Sequence, residues 1–132
     1  MKYLLDTHTW VWWNARPDAL SPAVRELLSD PAACNELLLS AISVWELCKL
    51  LEKGKIGLSL PVEDWIRQAL DAPGLRLVPL TPRIAYRSTV LPGPFHQDPA
   101  DQIIIATARE ENATILTRDA RILGYRHAQS LW

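Results

Sequence analysis

Four acidic side chains of the 132-residue sequence stand where predicted strands end or predicted helices begin, and a fifth lies within a predicted helix. Asp6 directly follows the first predicted strand, and Asp119 follows the fourth by two residues. Glu46 lies in the helix after the second strand, and Asp98 and Asp101 open the helix before the fourth. Because active sites of open parallel sheets gather at the carboxyl ends of strands, we expect these distant acids to converge at one edge.

Such a cluster indicates a divalent metal. Carboxylates a few ångströms apart oppose one another's ionisation unless a cation lies between them. Hard oxygen ligands in this number suit Mg²⁺ or Mn²⁺ and suit zinc poorly. A metal held by Asp6 and Asp101, with Glu46 and Asp119 completing its surroundings and Asp98 as a further ligand, would activate water for phosphodiester hydrolysis.

Each acid also has a structural alternative. Asp6 could be only a turn or helix-entry residue, and Asp119 could belong to a Thr-Arg-Asp turn. Glu46 fits the last position of a capping box that starts three residues earlier. Asp98 is a good helix cap before proline, so its role as ligand or cap stays open. Asp101, at the third helical position, has less to do as a cap.

The elements that must position these acids follow from the apolar pattern. Short apolar runs predict strands at 2–5, 37–39, 76–80 and 114–117, with a possible fifth at 125–127. Helices are expected at about 10–15 (capped from Thr7–Thr9), 22–29, 41–53, 61–70, 83–91 and 98–112. Strands alternating with helices predict an α/β fold: one three-layer α/β/α domain over residues 1–132, with a short, mainly parallel sheet of four or five strands.

Composition excludes several classes of protein. Fourteen basic and fifteen acidic residues give a net charge of −1, so no overall polybasic character indicates a polyanion partner. No apolar run approaches the roughly 18 residues of a membrane span, and Asp6 interrupts any signal-peptide core. Cys34 and Cys48 are too few for a disulfide scaffold. We expect a soluble, cytoplasmic domain with two free thiols, Cys48 lying on the apolar face of its helix.

Four segments together resemble the PIN-domain ribonucleases, and within them the VapC-type toxins of bacterial toxin–antitoxin pairs. The segments are LLDTHTWVWW (4–13), SAISVWEL (40–47), HQDPADQIIIATA (96–108) and ILTRDARI (115–122). The resemblance covers essentially the whole chain and implies a PIN-like fold and a metal-dependent endoribonuclease.

The resemblance also implies site residues and partners. The acids of the family match Asp6, Glu46, Asp101 and Asp119, and Asp98 matches the first acid of an Asp-Pro-x-Asp variant. It implies Mg²⁺ or Mn²⁺, products with a 5′-phosphate, a structured RNA substrate such as tRNA or rRNA, a VapB-type antitoxin and a homodimer, with no membrane. The sequence departs from many relatives at Gln102, where they carry arginine.

Further candidates for substrate contact surround the acids. His96 lies in a proline-rich loop beside them, Thr7 follows Asp6, and Arg118 belongs to a late group of arginines that could hold phosphates. The tryptophans at 10, 12 and 13 are expected to pack in a core or interface rather than stack on bases.

Two rival functions are distinguishable. The segment Leu4–Thr9 imitates the strand end of a haloacid-dehalogenase phosphatase, but His8 stands where the second aspartate is required. A non-catalytic RNA- or protein-binding module on the same fold gains nothing from clustered carboxylates. A phosphodiesterase assay with Mg²⁺ or Mn²⁺ separates these readings.

Overall fold

The computed structural model describes residues 1–30 and 36–132. Within these residues the chain forms one five-stranded sheet of order β3-β2-β1-β4-β5, and every neighbouring pair is parallel. The strands are β1 Lys2–Leu5, β2 Glu36–Ser40, β3 Leu75–Val78, β4 Thr114–Leu116 and β5 Ser130–Leu131. Because all strands run the same way, the carboxyl ends of β1, β2 and β4 meet at one edge.

Helices connect the strands. They are α1 Thr7–Ala15, α2 Pro22–Ser29, α3 Ala41–Glu52, α4 Val62–Leu70, α5 Pro82–Ser88, α6 Pro99–Glu111 and α7 Ala120–Leu123, with a 3₁₀ turn at Pro17–Ala19. None of the helices in the described ranges is long and apolar enough to cross a membrane.

Alternating side chains of the sheet enter two separate cores. Leu4, Leu38 and Ile115 lie side by side on one face and pack with residues of α5, α6 and α7. Their neighbours Leu5 and Leu39 point to the other face and pack with residues of α1, α2, α3 and α4. This alternation has the two-residue period of an extended strand. The predicted α/β class, with helices on both faces of a parallel sheet, is confirmed.

Two predictions are wrong, the start of the first helix and the position of the fifth strand. Helix α1 begins at Thr7 rather than Trp10, because the Asp6 carboxylate accepts the Thr7 backbone N–H at 2.8 Å and caps the helix there. The fifth strand is Ser130–Leu131 and not 125–127. Tyr125 is buried in the second core, and its hydroxyl donates to the Pro92 carbonyl at 2.5 Å.

Two elements around the third strand are also shorter than predicted. The strand begins at Leu75 and ends at Val78, two residues before the predicted end at Leu80. Helix α5 ends at Ser88 and not near Leu91. The hydroxyls of Ser88 and Thr89 donate to backbone carbonyls three residues back, which satisfies the last turn.

The apolar face predicted for α3 is only partly buried, with Val44 and Leu51 packed against the core. Ser43 and Leu47 are the residues buried in this helix, whereas Trp45 is 52% exposed and Cys48 is exposed. Helical spacing therefore assigned Cys48 to the wrong face. Cys34 lies outside the described residues.

Candidate active site

Asp6 is the innermost acid of the sheet edge. It follows the central strand β1, is buried, and accepts hydrogen bonds at both oxygens: from the Thr7 N–H at Oδ1 and from the Thr117 hydroxyl at Oδ2, at 2.6 Å. Burial raises the pKa of Asp6 above its ordinary value, because desolvation outweighs the two hydrogen bonds. Asp6 is thus both a helix cap and a site carboxylate. Each of its oxygens keeps a further lone pair for a cation.

Glu46 is held over the site by Thr7. Ser40 caps α3 through the Ile42 N–H at 3.2 Å, so the helix begins before Ser43 and the alternative capping box does not form. Glu46 lies almost two turns in, and its Oε1 accepts the Thr7 hydroxyl. Burial raises the pKa of Glu46, and the Thr7 hydrogen bond only partly opposes this.

Asp98 and Asp101 enter the site from the first turn of α6. Asp98 caps this helix by accepting the Asp101 N–H at 3.0 Å, as its structural alternative predicts. Nevertheless one oxygen each from Glu46, Asp98 and Asp101 lie within 4.8 Å of one another. Burial, followed by the charges of Asp98, Asp6 and Glu46, raises the pKa of Asp101 to about 7. Capping and clustering therefore coexist at Asp98.

Asp119 completes the acids from the segment between β4 and α7. It caps α7, and Arg121 donates to both of its oxygens, to Oδ1 at 3.3 Å and Oδ2 at 3.1 Å. Burial alone would raise the pKa of Asp119, but the hydrogen bonds and charge of Arg121 prevail and lower it. Arg121 also lies 3.7 Å from Asp101 Oδ2, so its guanidinium bridges two of the acids.

His96 borders the cluster. Its Nε2 lies 3.1 Å from Asp101 Oδ2, at ion-pair distance but without hydrogen-bond geometry. Its Nδ1 accepts the Asp98 N–H at 3.4 Å, which leaves the proton of a neutral ring on Nε2. Gln102, the residue that departs from the arginine of many relatives, donates to the His96 carbonyl at 3.1 Å and fastens this loop to α6.

The acids of the cluster line one open cleft of about 420 Å³. All five predicted acids contribute to it, and His8, Trp12, Arg118 and Arg121 form the rest of its wall. The Arg118 guanidinium lies 6.0 Å from the centre of the Trp12 ring. The expectation that the early tryptophans pack is confirmed: Trp10 is fully buried, and Trp12 and Trp13 pack against the same core. Trp12 also lines the cleft.

Thr7, which was predicted to contact the substrate, is not accessible to it in the structure. Thr7 is fully buried and its hydroxyl is engaged by Glu46 and Ser43, so it positions an acid instead of contacting RNA. Thr117 has a similar supporting role at Asp6, which the sequence analysis missed. Its only signal was a polar residue directly after a buried strand.

The cluster fits a divalent cation. Three carboxylate oxygens within 4.8 Å of one another supply hard ligands, and Asp6 and Asp119 line the same cleft. Burial first, and the neighbouring carboxylates second, raise the pKa of Asp101, so its ionised form is disfavoured unless a cation is bound. Oxygen donors of this kind suit Mg²⁺ or Mn²⁺.

Comparison with known proteins agrees with this geometry. The sequence model of the PIN domain family matches residues 3–127. The chain is 40% identical over 124 residues to Ribonuclease VapC22 of Mycobacterium tuberculosis, covering 94% of this chain and 92% of that protein.

Solved structures share the fold. VapBC2 from Rickettsia felis, bound to a promoter DNA fragment, has a TM-score of 0.71 at 18% identity over 99% of this chain and 98% of that one. A toxin–antitoxin complex from Klebsiella pneumoniae has a TM-score of 0.66 at 21% identity, over 98% and 96%. With the family match spanning nearly all residues, the resemblance is confirmed: the chain belongs to the PIN domain family, as a VapC-type member.

Proposed function

We propose that this chain is a metal-dependent endoribonuclease and the toxin of a VapBC-type toxin–antitoxin pair. It shares 40% identity with a protein named a ribonuclease, and its structural neighbours include toxin–antitoxin complexes. Residues 1–132 act as one nuclease domain in the cytoplasm. A structured RNA such as a tRNA or rRNA is the substrate, and a homodimer bound by a VapB-type antitoxin is the inhibited form.

The single observation that carries the proposal is the carboxylate cluster. One oxygen each from Glu46, Asp98 and Asp101 lie within 4.8 Å of one another. A purely structural set of acids has no reason to be concentrated in this way, because each adds repulsion that folding must overcome.

The residues divide the work of hydrolysis. Asp101, Glu46, Asp98 and Asp6 would hold Mg²⁺ or Mn²⁺, with Asp119 completing the charge of the site. When bound, the metal lowers the pKa of water and offsets charge growing on the phosphate. Thr117 and Thr7 fix the carboxylates of Asp6 and Glu46 before substrate arrives.

Cationic side chains at the cleft wall would orient the RNA. Arg118 is exposed and lines the cleft beside Trp12, which suits it to a phosphate oxygen. His96 would contact the RNA from the groove beside the cleft, because its Nε2 is buried against Asp101 and the residue does not line the cleft itself.

Cleavage of a structured RNA by the purified chain tests the proposal. We expect 5′-phosphorylated fragments with Mg²⁺ or Mn²⁺, no cleavage with chelator, and no cleavage by Asp101→Asn. Glu26→Gln is the matched control, because Glu26 is exposed on α2 outside the cleft and loses the same charge. Cleavage that survives chelation, or intact RNA under every condition, contradicts the proposal.

A further inference from the structure

A second groove adjoins the acidic cleft. It has a volume of about 400 Å³ and lies between the loop at Pro94–His96 and the segment from Ala120 to His127. Arg121 belongs to the walls of both cavities. A chain passing through the acidic cleft can therefore continue into this groove without leaving the surface.

The two cavities have opposite chemistry. Five carboxylates line the cleft, whereas the described lining of the groove contains arginine, histidine and aromatic side chains and no acid. A polyanion held only by the cleft would meet mainly negative charge. The groove supplies the attraction that the acids lack.

Aromatic rings form the floor of the groove. The Phe95 ring lies 4.9 Å from the Tyr125 ring and 4.3 Å from the His96 ring. The His127 ring lies 5.5 Å from Tyr125, and His127 is exposed. Phe95 is partly exposed. Such faces stack on unpaired bases of any sequence.

The groove is already formed in the protein alone. Tyr125 fastens it to the loop through the 2.5 Å hydrogen bond to Pro92. Gly93, at φ +69°, lies so close to His127 that an added Cβ would come within 3.2 Å of the ring Nε2. A preformed site loses less entropy when a ligand binds.

Arg126 is the free cation of this groove. Arg121 is committed to Asp119 and Asp101, but across the described ranges the Arg126 side chain makes no hydrogen bond or ion pair, and it is exposed. An unpaired guanidinium beside aromatic faces matches a nucleotide, because it binds phosphate while the rings bind the base.

We infer that this groove binds a nucleotide of single-stranded RNA that flanks the scissile bond, with its phosphate on Arg126 and its base against Phe95 and His127. The inference rests on the proposed ribonuclease function and assigns that site an adjoining subsite. The groove thereby selects unpaired RNA next to the bond that is cut.

Binding of a fluorescent single-stranded RNA oligonucleotide, followed by anisotropy in the Asp101→Asn background, tests the inference without hydrolysis. Arg126→Ala should weaken binding and lower the slope of log affinity against log salt by about 0.7, the contribution of one phosphate contact. Lys55→Ala, which removes an exposed cation outside both cavities, should leave the slope unchanged.

An abasic oligonucleotide isolates the base contact. Phe95→Leu and His127→Ala should each weaken binding of intact RNA by about fivefold or more, the effect of losing a stacked base, and leave abasic RNA nearly unaffected. His127→Ala keeps the claim testable if Phe95→Leu fails to fold. Equal losses on both oligonucleotides, or none on either, overturn the base contact.

Cleavage by the otherwise wild-type chain separates the two proposals. If the chain cleaves RNA but Arg126→Ala binds RNA with the same affinity and salt slope as wild type, the groove inference is overturned and the ribonuclease proposal stands. If the chain does not cleave RNA but its RNA binding still depends on Arg126 and His127, the ribonuclease proposal is overturned and the groove is supported as an RNA-binding site. A groove that takes an acidic peptide in place of RNA also overturns the inference.

Discussion

The hydroxyl of Thr117 donates a 2.6 Å hydrogen bond to Asp6 Oδ2, although the two residues are 111 positions apart. Thr117 directly follows β4 and Asp6 directly follows β1. The same hydroxyl oxygen accepts the Asp119 N–H at 3.0 Å. One buried threonine therefore ties together the two acids that follow neighbouring strands, and it does so from beneath the cleft.

Replacing Thr117 by valine should weaken metal binding. The change keeps the shape of the side chain but removes a hydrogen bond that favours ionised Asp6, so the pKa of Asp6 should rise further. We expect Mn²⁺ affinity to fall by about tenfold or more, the usual cost of losing a supporting contact. Titration with Mn²⁺ measures this.

Two further variants control that experiment. Thr107→Val removes a hydroxyl that is equally buried but donates to the Ile103 carbonyl within α6 and not to an acid, and should keep wild-type affinity. Thr117→Ser should restore binding. If Thr117→Val binds Mn²⁺ like Thr107→Val, Thr117 does not support the metal site.

Thr7 should affect turnover through Glu46. Thr7→Val leaves Glu46 without its buried donor, and we expect kcat for RNA cleavage to fall about tenfold with a smaller change in KM. Thr9→Val is the matched control on α1, because the Thr9 hydroxyl donates to the Leu116 carbonyl and not to an acid. Equal rates for the two variants would separate Glu46 from catalysis.

Asp101 and Asp98 should differ in their tolerance of asparagine. Asp101→Asn should reduce cleavage by more than about 100-fold with the fold intact, since it removes a metal ligand and not a supporting contact. Asp98→Asn should lose less, because asparagine still caps α6. Circular dichroism and initial rates test both, and near wild-type turnover by folded Asp101→Asn refutes its assignment.

The cysteines should both be free thiols. Cys48 is exposed on α3, so iodoacetamide should modify it in the folded protein without reductant. Mass spectrometry of the unreduced, alkylated and then unfolded chain should find both Cys34 and Cys48 modified. A disulfide between them refutes the prediction.

The strands and the convergence of the acids could be predicted because they depend on local apolar runs and on parallel topology. Asp6 ends the apolar run of β1, and the rule that sites gather at carboxyl ends placed it beside Asp119. Membership in the PIN domain family also removes the phosphatase alternative.

Details that depend on tertiary contacts could not be predicted. Whether Cys48 faces the core depends on how α3 is rotated against the sheet, which helical spacing alone does not fix. Thr7 is buried because Asp6 caps α1, so that the helix begins three residues before the predicted start. Strand β5 has only two residues and does not coincide with an apolar run in the sequence. It is recognisable only from its pairing with β4 in the structure.

The central claim is that the acids converge on a cation, and unfolding free energy against pH and metal tests it most directly. Asp101 has a pKa of about 7 in the folded chain against an ordinary 3.8. The folded state therefore binds a proton that the unfolded state releases between these values, and metal-free stability should fall as pH rises through that window.

The decisive measurement compares wild type, Asp101→Asn and the control Glu26→Gln in chelator and in excess Mn²⁺, above the pKa of Asp101. In chelator, Asp101→Asn should be more stable than wild type by about 1 kcal/mol, the equivalent of one pKa unit of relieved repulsion. Mn²⁺ should stabilise wild type and Glu26→Gln strongly and Asp101→Asn much less. An Asp101→Asn chain that is less stable in chelator, with the same Mn²⁺ response as wild type, would contradict a metal site and make Asp101 a structural residue.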